Sequence, residues 1–215
     1  MTMLSINTNV GALKAASASY SVNKSMETSM QRLSTGKRIN SAADDAAGDQ
    51  IQRRMTTEIQ GLKQSIRNAA DAQALMGTAE GAIEEIQLML LRLRQLAVQS
   101  SNSTNSTADR ASIELEGAQL EAEISRIANN TTFAGQNLLD GSFSGDTSVN
   151  TRTFQIGSDS GQTIELSIPE MTATAATISY IDALSIGSFT GAQSAITAID
   201  AALSGVSEVR GKLGG

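Results

Sequence analysis

Cysteine and histidine are both missing from this chain of 215 residues. Without them the chain cannot build Cys/His zinc sites, thiol nucleophiles, disulfides, haem-ligating histidines or a Ser-His-Asp triad. No other nucleophile–base pair, metal-ligand set or phosphate-binding loop is recognisable, so the sequence predicts neither an enzyme nor a bound cofactor. A chain without cysteine fits any redox compartment, including the outside of a cell.

Aromatic residues and proline are almost as scarce. Aromatics make up 3% of the chain, tryptophan is absent and the one proline is Pro169, whereas apolar residues as a whole reach 40%. A core with so few rings has to be built from Ala, Leu, Ile, Val and Met, which suits helices packed along long seams. A single proline also permits long uninterrupted helices. The composition therefore predicts a mainly α fold.

The charge is negative overall and unevenly distributed. The formal net charge of −6 argues against nonspecific binding to nucleic acid. Residues 1–70 contain nine basic and five acidic residues, a net charge of +4, which leaves −10 for the remainder. Two interpretations stay open: solvated helix faces, or complementary patches between identical copies stacked in an assembly.

Long apolar segments are also lacking. The first residues, MTMLSINTNVGALKAAS, contain neither the basic n-region nor the apolar h-region of an ordinary secretory signal. No apolar run approaches the ~20 residues that a membrane-spanning helix needs. We therefore expect neither a cleaved signal nor a membrane partner.

Helical spacing recurs through the first half of the chain. Segment 4–34 has a loose helical period on a Ser/Thr/Asn-rich background, which makes a marginal helix that needs a partner. Residues 35–50 form a break, and Ser41 or Asp44 offers the next helix start. Strict three–four spacing then predicts a long helix with a coiled-coil-like neighbour. Its seam comprises Ile51, Met55, Ile59, Leu62, Ile66, Ala69, Gln73, Met76, Ala79 or Glu80, Ile83, Ile86, Leu90, Leu93 and Ala97.

A Ser/Thr/Asn cluster at 100–107 predicts the end of the long helix. Ser106 or Asp109 can cap a second helix directly after it. The apolar residues of that helix are Ile113, Leu120, Ile124 and Ile127. The two helices are therefore predicted to form an antiparallel hairpin of helices.

Strand signals follow a turn-rich stretch at 129–145. TFQIG (153–157) and TIELSIP (163–169) flank the turn sequence SDSGQ, and each alternates apolar with polar residues. This pattern predicts a β-hairpin with one buried face. The residues expected on that face are Phe154, Ile156, Ile164, Leu166 and Ile168.

Heptad spacing resumes near the end of the sequence. The residues on this last seam are Ala192, Ile196, Ile199, Leu203, Val206, Arg210 and Leu213. The sequence stops at Gly215 in the middle of the pattern, so we expect a helix that is cut off rather than finished.

Eight segments carry a longer-range pattern in their order and spacing. They are LSINTNVGALKA (4–15), QRLSTGKRINSAADDAAGDQI (31–51), EIQGLKQSIRNAADA (58–72), GTAEGAIEEI (77–86), LRLRQLAVQSSNSTNS (91–106), TTFAGQNLLDG (131–141), FQIGSDSGQTIELSI (154–168) and AITAIDAALSGVSEVRGKLG (195–214). Together they resemble bacterial flagellin, the subunit of the flagellar filament. The similarity covers nearly the whole chain, which makes it far more specific than any single motif.

The resemblance implies a subunit with two layers. Residues 1–44 would form a filament-core helix segment that pairs with a C-terminal helix. Residues 45–190 would form a rod domain that holds the helical hairpin and the β-hairpin, and residues 191–215 would begin the returning rod helix. Only about 170–190 lies where family members often insert variable outer domains, so a minimal flagellin is expected.

Two departures from the family pattern bear on assembly. The C-terminal arm of the family does not follow Gly215, and Lys37 stands where many relatives carry an apolar residue. Without that arm the N-terminal helix lacks its partner. The expectation is therefore that these 215 residues alone do not polymerise.

The resemblance also implies a receptor site. In flagellins sensed by an innate-immune Toll-like receptor, an Arg and a Leu of the first rod helix and a Glu of the next form the core of the contact. The matching residues are Arg92, Leu96 and Glu116. Arg92 and Leu96 are four apart and share a helix face, and Arg beside an apolar anchor is frequent hot-spot chemistry. The alternative is that Leu96 is core and Arg92 pairs with Glu116 across the hairpin.

Two loops are expected to provide axial contacts between stacked subunits: the β-hairpin turn and the 100–107 loop. The residues are Ser158, Asp159, Gly161, Asn102 and Asn105. The alternative is that both are plain solvent-facing loops. Asp44 and Asp45 are interpreted as helix-capping residues rather than as a metal site or an acid pair.

The function that the resemblance implies is mechanical. The chain would polymerise into an extracellular filament for swimming, exported without a cleaved signal through the flagellar type III apparatus. The implied partners are other subunits, the export apparatus, hook-associated proteins and the Toll-like receptor. The alternatives are a hook–filament junction protein and a secreted signalling or adhesive fragment. The match at LAVQSSNSTNS (96–106) favours flagellin.

Overall fold

The computed structural model of the protein describes residues 9–143, 151–175, 178, 181 and 184–214. Its helices in this part of the chain are α1 (Val10–Thr35), α2 (Ala46–Ser100), α3 (Thr107–Asn130) and α4 (Phe189–Gly214). Its strands are β1 (Thr132–Phe133), β2 (Gln136–Asn137), β3 (Thr151–Gln155) and β4 (Thr163–Ser167). The prediction of a mainly α fold with a small β region is confirmed. The chain divides into two compact units, Met1–Gln60 and Gly61–Gly215, with the division inside α2.

Helix α1 forms where the loose helical spacing predicts it. Asn9 caps its start, because the Asn9 side chain accepts a hydrogen bond from the Ala12 N–H at 3.1 Å. Gly36 ends it in the left-handed conformation, with φ of 66°. None of the residues of α1 is buried. The first part of the predicted segment, residues 4–8, lies outside the described residues.

The start of α2 is one residue later than the sequence suggests. The Asp44 carboxylate accepts hydrogen bonds from the Asn40 and Ser41 N–H groups at 3.1 and 3.0 Å, and so closes the preceding turn. These backbone donors, that of Asn40 first, lower the pKa of Asp44. The helix cap is Asp45, whose carboxylate accepts from the Gly48 N–H at 2.9 Å. The prediction of a start at Ser41 or Asp44 is wrong because the Asp44 carboxylate is already used in the turn.

The C-terminal half of α2 has the seam that the heptad spacing predicts. Its buried residues there include Ala79, Ile83, Ile86, Leu90, Leu93 and Ala97, each fully inaccessible to solvent. These side chains lie at the centre of the core of the second unit, and residues of α3, the β region and α4 pack against them. Because each turn of the helix returns one such side chain to the same face, this half of α2 is held along its length.

Further toward its N-terminus the predicted seam of α2 is wrong by one residue. Ile66 is 70% exposed, whereas Ser65 and Leu75 are buried. The β-hairpin contacts α2 in this region, since the Asn68 side-chain amide donates to the Gln155 carbonyl at 3.0 Å. Ser65 is buried in place of its neighbour Ile66, and Leu75 is buried in place of Met76, which is only half-buried.

Helices α2 and α3 form the predicted antiparallel hairpin. Ser106 and Asp109 cap α3 together: the Asp109 N–H donates to the Ser106 hydroxyl at 3.2 Å, and the Ser106 N–H donates to the Asp109 carboxylate at 3.0 Å. Arg110 then ties the helices, because its guanidinium donates to the Ser100 carbonyl at 2.9 Å. The cap and the arginine fix the reversal of the chain.

Residues 131–138 contain a tight hairpin that the sequence does not predict as strand. β1 and β2 pair antiparallel, with Phe133 opposite Gln136. The two turn residues, Ala134 and Gly135, have φ values of 50° and 78°, a pair of positive values typical of two-residue hairpin turns. Ala134 is the one non-glycine residue with positive φ in the described part of the chain. This turn directs Leu138 and Leu139 into the core.

The larger hairpin is present with the predicted strands, but only part of its predicted face is buried. β3 and β4 pair antiparallel with Phe154 opposite Ile164. Leu166 and Ile168 lie in the core, whereas Ile164 is 55% exposed and Ile156 is 38% exposed. The prediction is wrong for these two isoleucines, because only the base of a two-stranded hairpin reaches the core and its tip stays in solvent.

Helix α4 returns along α2 in the opposite direction. Arg94 on α2 pairs with Asp200, and Arg210 donates to the Gln87 side chain further back along α2 at 2.7 Å. Four of the seven predicted seam residues are buried. At the other three the seam is shifted by one residue, so that Ile196, Leu203 and Arg210 are only half-buried. The buried residues are Ala192, Ala195, Ile199, Ala202, Val206, Val209 and Leu213. Two of the three shifted positions, Ala195 and Ala202, are alanines, which let the α4 backbone lie close to α2, and the third is Val209.

Candidate protein-interaction surfaces

Arg92 and Glu116 form an ion pair across the helical hairpin. The Arg92 Nη2 lies 2.6 Å from the Glu116 Oε1, and the Arg92 Nε lies 3.0 Å from the same oxygen. Gln95 accepts a third, longer hydrogen bond from Arg92 at 3.4 Å. Both charged side chains remain about half exposed, at 51% and 46%. The pair is therefore an exposed polar feature on the surface rather than a buried salt bridge.

Leu96 lies one turn along α2 from Arg92 and belongs to the core. Its exposure is 1%, compared with the half-exposed guanidinium of Arg92 one turn away. The structure pairs Arg92 with Glu116 and buries Leu96. This is the arrangement of the alternative interpretation, in which Leu96 is core and the two charged residues pair across the hairpin. The receptor contact itself stays a prediction. Any such contact would use the two charged residues directly and Leu96 only as support.

A second apolar stripe lies on the outer side of α2, and the sequence interpretation missed it. Leu88, Leu91 and Val98 are 55%, 42% and 47% exposed, and Leu115 on α3 is 65% exposed. The signal in the sequence is the spacing of Leu88, Leu91, Gln95 and Val98, which is a second heptad line offset from the core line. Exposed apolar stripes of this kind mark protein-interaction surfaces more often than scattered single residues do.

The 100–107 loop is held by its own hydrogen bonds. The Asn102 side chain accepts from the Thr104 N–H at 3.2 Å, and the Asn105 side chain donates to the Gln99 carbonyl at 2.6 Å. Arg110 donates to the Asn102 carbonyl at 3.0 Å. The loop is therefore a preformed surface, and Asn102 is exposed on it.

The turn of the larger hairpin is similarly preformed. Gln155 donates to the Asp159 carbonyl at 2.6 Å, and Gly161 has φ of 86°, a conformation that favours glycine. Ser158 packs directly on α2, where a Cβ added to Gly61 would lie 3.0 Å from the Ser158 Cβ. Ser158, Asp159 and Gly161 are exposed. Their role in axial contacts between copies stays a prediction.

The first unit exposes an apolar stripe on each of its helical segments. On α1 the residues are Val22, Met26, Met30 and Leu33, and on α2 they are Ile51, Met55, Ile59 and, continuing into the second unit, Leu62 and Ile66. Each is at least 46% exposed and recurs every three or four residues. Ile39, Ile51, Met55 and Ile59 line a groove of about 590 Å³ at the start of α2, with Arg38 and Asp45 among its polar residues.

Ion pairs on the surface of the second unit hold several carboxyl groups ionised. The hydrogen bond from Arg94 lowers the pKa of Asp200, and Arg126 and Lys212 do the same for Glu123 and Glu208. Of these pairs, only Arg94–Asp200 joins two elements, with 2.6 Å between the Arg94 Nε and the Asp200 Oδ1. The attraction between Arg94 and Asp200 therefore stabilises α4 in its position against α2.

No cluster of three or more acidic side chains arranged to hold a metal ion is present in the described ranges. Within the same residues, no helix combines the length and the apolar character needed to cross a bilayer.

The sequence of the chain matches a known protein family. Residues 6–144 fit the family described as the bacterial flagellin N-terminal helical region. The B-type flagellin of Pseudomonas aeruginosa is 45% identical over 172 residues, which cover 80% of this chain and 34% of that protein. This chain is a member of the bacterial flagellin family. The flagellins are structural proteins, and family membership therefore agrees with the prediction of a protein that is not an enzyme.

Other flagellins and related structures support the same assignment. Flagellin E of Vibrio cholerae is 42% identical over 186 residues, covering 86% of this chain and 46% of that flagellin. The crystal structure of Bacillus cereus flagellin has a TM-score of 0.57 at 28% identity, over 69% of this chain and 81% of that one. A structure described as a flagellar hook-associated protein from Vibrio parahaemolyticus has a TM-score of 0.66 at 18% identity, over 81% of this chain and 88% of that one, which shows a shared fold.

The chain spans less than half the length of the flagellins that it matches in sequence. The sequence similarity to flagellins at 42–45% identity favours flagellin over a hook–filament junction protein.

Proposed function

We propose that this chain is part of a structural subunit that polymerises with copies of itself into the bacterial flagellar filament outside the cell. The observation that supports this most directly is the pair of exposed apolar stripes on α1 and the first half of α2, in a chain of the flagellin family. A stripe at helical spacing that the described residues leave exposed is suited to burial against a neighbouring chain.

The physical basis of assembly would be apolar burial along these stripes. Burial contributes about 25 cal/mol per Å² of apolar surface, so many weak contacts add up along a filament. A head-to-tail contact that does not close on itself produces a helical polymer. In this proposal the second unit is already folded around its core, and the first unit completes its packing on neighbouring copies.

Complementation in cells tests this proposal. The complete reading frame that contains these 215 residues would be expressed in a bacterium whose own flagellin genes are deleted, because the 215 residues alone are not expected to polymerise. Filaments would be counted by electron microscopy together with swimming in soft agar. Filaments are expected from the natural sequence. Ile59→Lys is expected to abolish them, since it puts a charge in the middle of the stripe, whereas Gln60→Lys puts the same charge outside the stripe and leaves them. Equal filament numbers in the two variants would contradict the proposal.

The proposed subunit would leave the cell through the flagellar type III export apparatus, without a cleaved signal. Hook-associated proteins would be further partners of the subunit. The flagellin relatives support this route by family membership. Secretion into the medium by a strain with an intact export apparatus, and retention by a strain without it, would be the expected result. The N-terminal sequence of the secreted protein would then report whether cleavage occurs.

We further propose that the Toll-like receptor that senses flagellin contacts the Arg92–Glu116 pair. The half-exposed guanidinium, which donates twice to Glu116, supports this, because an exposed arginine beside a carboxylate offers donors and charge to a partner. Receptor-reporter cells would be treated with the purified chain carrying Arg92→Ala. Potency is expected to fall several-fold, while Arg126→Ala, which removes an exposed arginine paired within α3, leaves it unchanged. Full potency of the Arg92 variant would contradict the proposed receptor contact.

The axial contacts remain a separate proposal. Preformed loops at 100–107 and 158–161 support it, since ordered loops bind with a smaller entropic penalty than flexible ones. Deletion of residues 158–161 is expected to shorten filaments or change their curvature in the complemented strain. Normal length and curvature after the deletion would indicate that the turn only faces solvent.

A further inference from the structure

Three of the methionines of the chain are exposed on the apolar stripes. Met26, Met30 and Met55 are 59%, 64% and 53% exposed, whereas Met171 is fully buried in the core. Met76 and Met89 are half-buried and pack against the core of the second unit. The thioethers of the first three are therefore open to oxidants in solution, in the same positions where assembly would need apolar surface.

The surroundings of these methionines are poorly suited to an oxidised side chain. Met26 and Met30 lie between Val22 and Leu33 on α1, and Met55 lies between Ile51 and Ile59 on α2. These apolar neighbours provide no hydrogen-bond donor; beside Met55, the donors of Arg38, Gln52 and Thr56 lie on the wall of the groove. A sulfoxide oxygen buried among the apolar neighbours would lose its water without a replacement partner, which is unfavourable. The unoxidised thioether, by contrast, is apolar and adapts its shape to a partner surface.

We propose that Met26, Met30 and Met55 are oxidation sites through which peroxides or hypochlorous acid prevent the apolar stripes from being buried against another copy of this chain. In the reaction with hydrogen peroxide, the O–O bond breaks and an S–O bond forms. The sulfur loses two electrons, one peroxide oxygen becomes the sulfoxide oxygen, and the other leaves as water. Methionine sulfoxide reductases reverse the change, so the site is switchable. The effect on assembly rests on the proposed function, but the sites of oxidation do not.

The first experiment maps the sites on the purified chain. The protein would be treated with hydrogen peroxide under native conditions, and sulfoxide formation at each methionine would be followed by peptide mass spectrometry. Met26, Met30 and Met55 are expected to react several-fold faster than Met171, and chemical denaturation is expected to remove the difference. Equal native rates at all four methionines would overturn the proposal.

The second experiment tests the consequence for assembly. Monomers recovered from filaments of the complemented strain would be oxidised, then mixed with filament seeds, and polymer would be measured by sedimentation. Oxidised protein is expected to polymerise several-fold less, and reductase treatment is expected to restore it. The variant with Met26→Leu, Met30→Leu and Met55→Leu keeps apolar side chains of similar size and is expected to polymerise equally well before and after peroxide treatment.

The outcomes separate the two proposals. Undiminished polymerisation of oxidised natural protein, or an equal loss in the leucine variant, would overturn the role assigned to these three residues. Failure of the untreated protein to polymerise would instead overturn the proposed function and, with it, the assembly part of this inference. The map of oxidation rates decides the sites of modification in either case.

Discussion

At the scale of single residues, Arg92 and Leu96 illustrate how steeply environment changes around a helix. They are one turn apart on α2, yet Arg92 is half exposed and Leu96 is 1% exposed. Residues four apart on a helix are rotated by about 40°, and at the edge of a buried stripe that rotation is enough to move a side chain from solvent into the core. A shared helix face is therefore not the same as a shared exposure.

Replacing Leu96 tests this assignment. Leu96→Ala is expected to lower the free energy of unfolding by about 2–5 kcal/mol, because it leaves a cavity in the core of the second unit. Leu88→Ala removes a leucine of the same helix that is 55% exposed, and a change within ~0.5 kcal/mol is expected. Urea unfolding followed by far-ultraviolet circular dichroism measures both. Similar losses in the two variants would contradict the core position of Leu96.

At the scale of elements, the docking of the larger hairpin on α2 depends on small residues. A Cβ on Gly61 would lie 3.0 Å from the Ser158 Cβ, whereas Gly77, further along the same helix, has nothing within 4 Å. Glycine within a helix is unfavourable by about 1 kcal/mol relative to alanine. At Gly61, the low helix propensity of glycine coincides with a close contact with the hairpin. Gly77 has the same low propensity but no such contact.

A pair of alanine substitutions separates propensity from contact. Gly77→Ala is expected to raise the free energy of unfolding by about 0.5–1 kcal/mol, from helix propensity alone. Gly61→Ala is expected to raise it by clearly less or to lower it, because Ser158 has to move by a few tenths of an ångström. Urea unfolding of the two variants gives the comparison. Equal stabilisation would mean that the hairpin adjusts freely.

The same elements indicate how far sequence alone could lead. Large apolar residues at strict spacing predicted α2 between Ala79 and Ala97, and cap chemistry predicted the start of α3. The offset at Ser65 and Ala195 was not predictable, because a small residue carries little signal and becomes buried only when a partner packs on it. The exposure of Ile164 likewise depends on how far the hairpin extends beyond the core. The predicted site residues could be located on their elements, but the burial of Leu96 required the three-dimensional packing.

At the scale of the whole molecule, α4 closes the core of the second unit from the far end of the chain. Its alanine-rich face buries against α2, and Arg94–Asp200 joins the two helices across 106 positions of sequence. The carboxyl of Asp200 faces Arg94 as its one charged partner among the described contacts, and that hydrogen bond lowers the pKa of Asp200. We therefore expect the docking of α4 to depend on pH.

The sign of this linkage follows from the lowered pKa. A carboxyl whose pKa is lower in the folded state stabilises the fold above its unfolded pKa of about 3.9, and this stabilisation is lost as pH falls through the folded value. Acid is therefore expected to lower the thermal midpoint, and Asp200→Asn is expected to reduce that dependence between pH 6 and pH 3. Glu208→Gln is expected to have a smaller effect, because its pair with Lys212 lies within α4 and is more exposed. Identical pH profiles for natural protein and the Asp200 variant would contradict the linkage.

Because α2 is covered unevenly, its two halves are expected to exchange their amide hydrogens at different rates. Its backbone amides between Ala79 and Ser100 become accessible only when the core of the second unit opens, whereas those over residues 46–59 can exchange their hydrogens through local fraying. One continuous helix thus has a slow half and a fast half in hydrogen–deuterium exchange. Anything that binds along the exposed stripe would slow the fast half, so the helix itself reports when it has been covered.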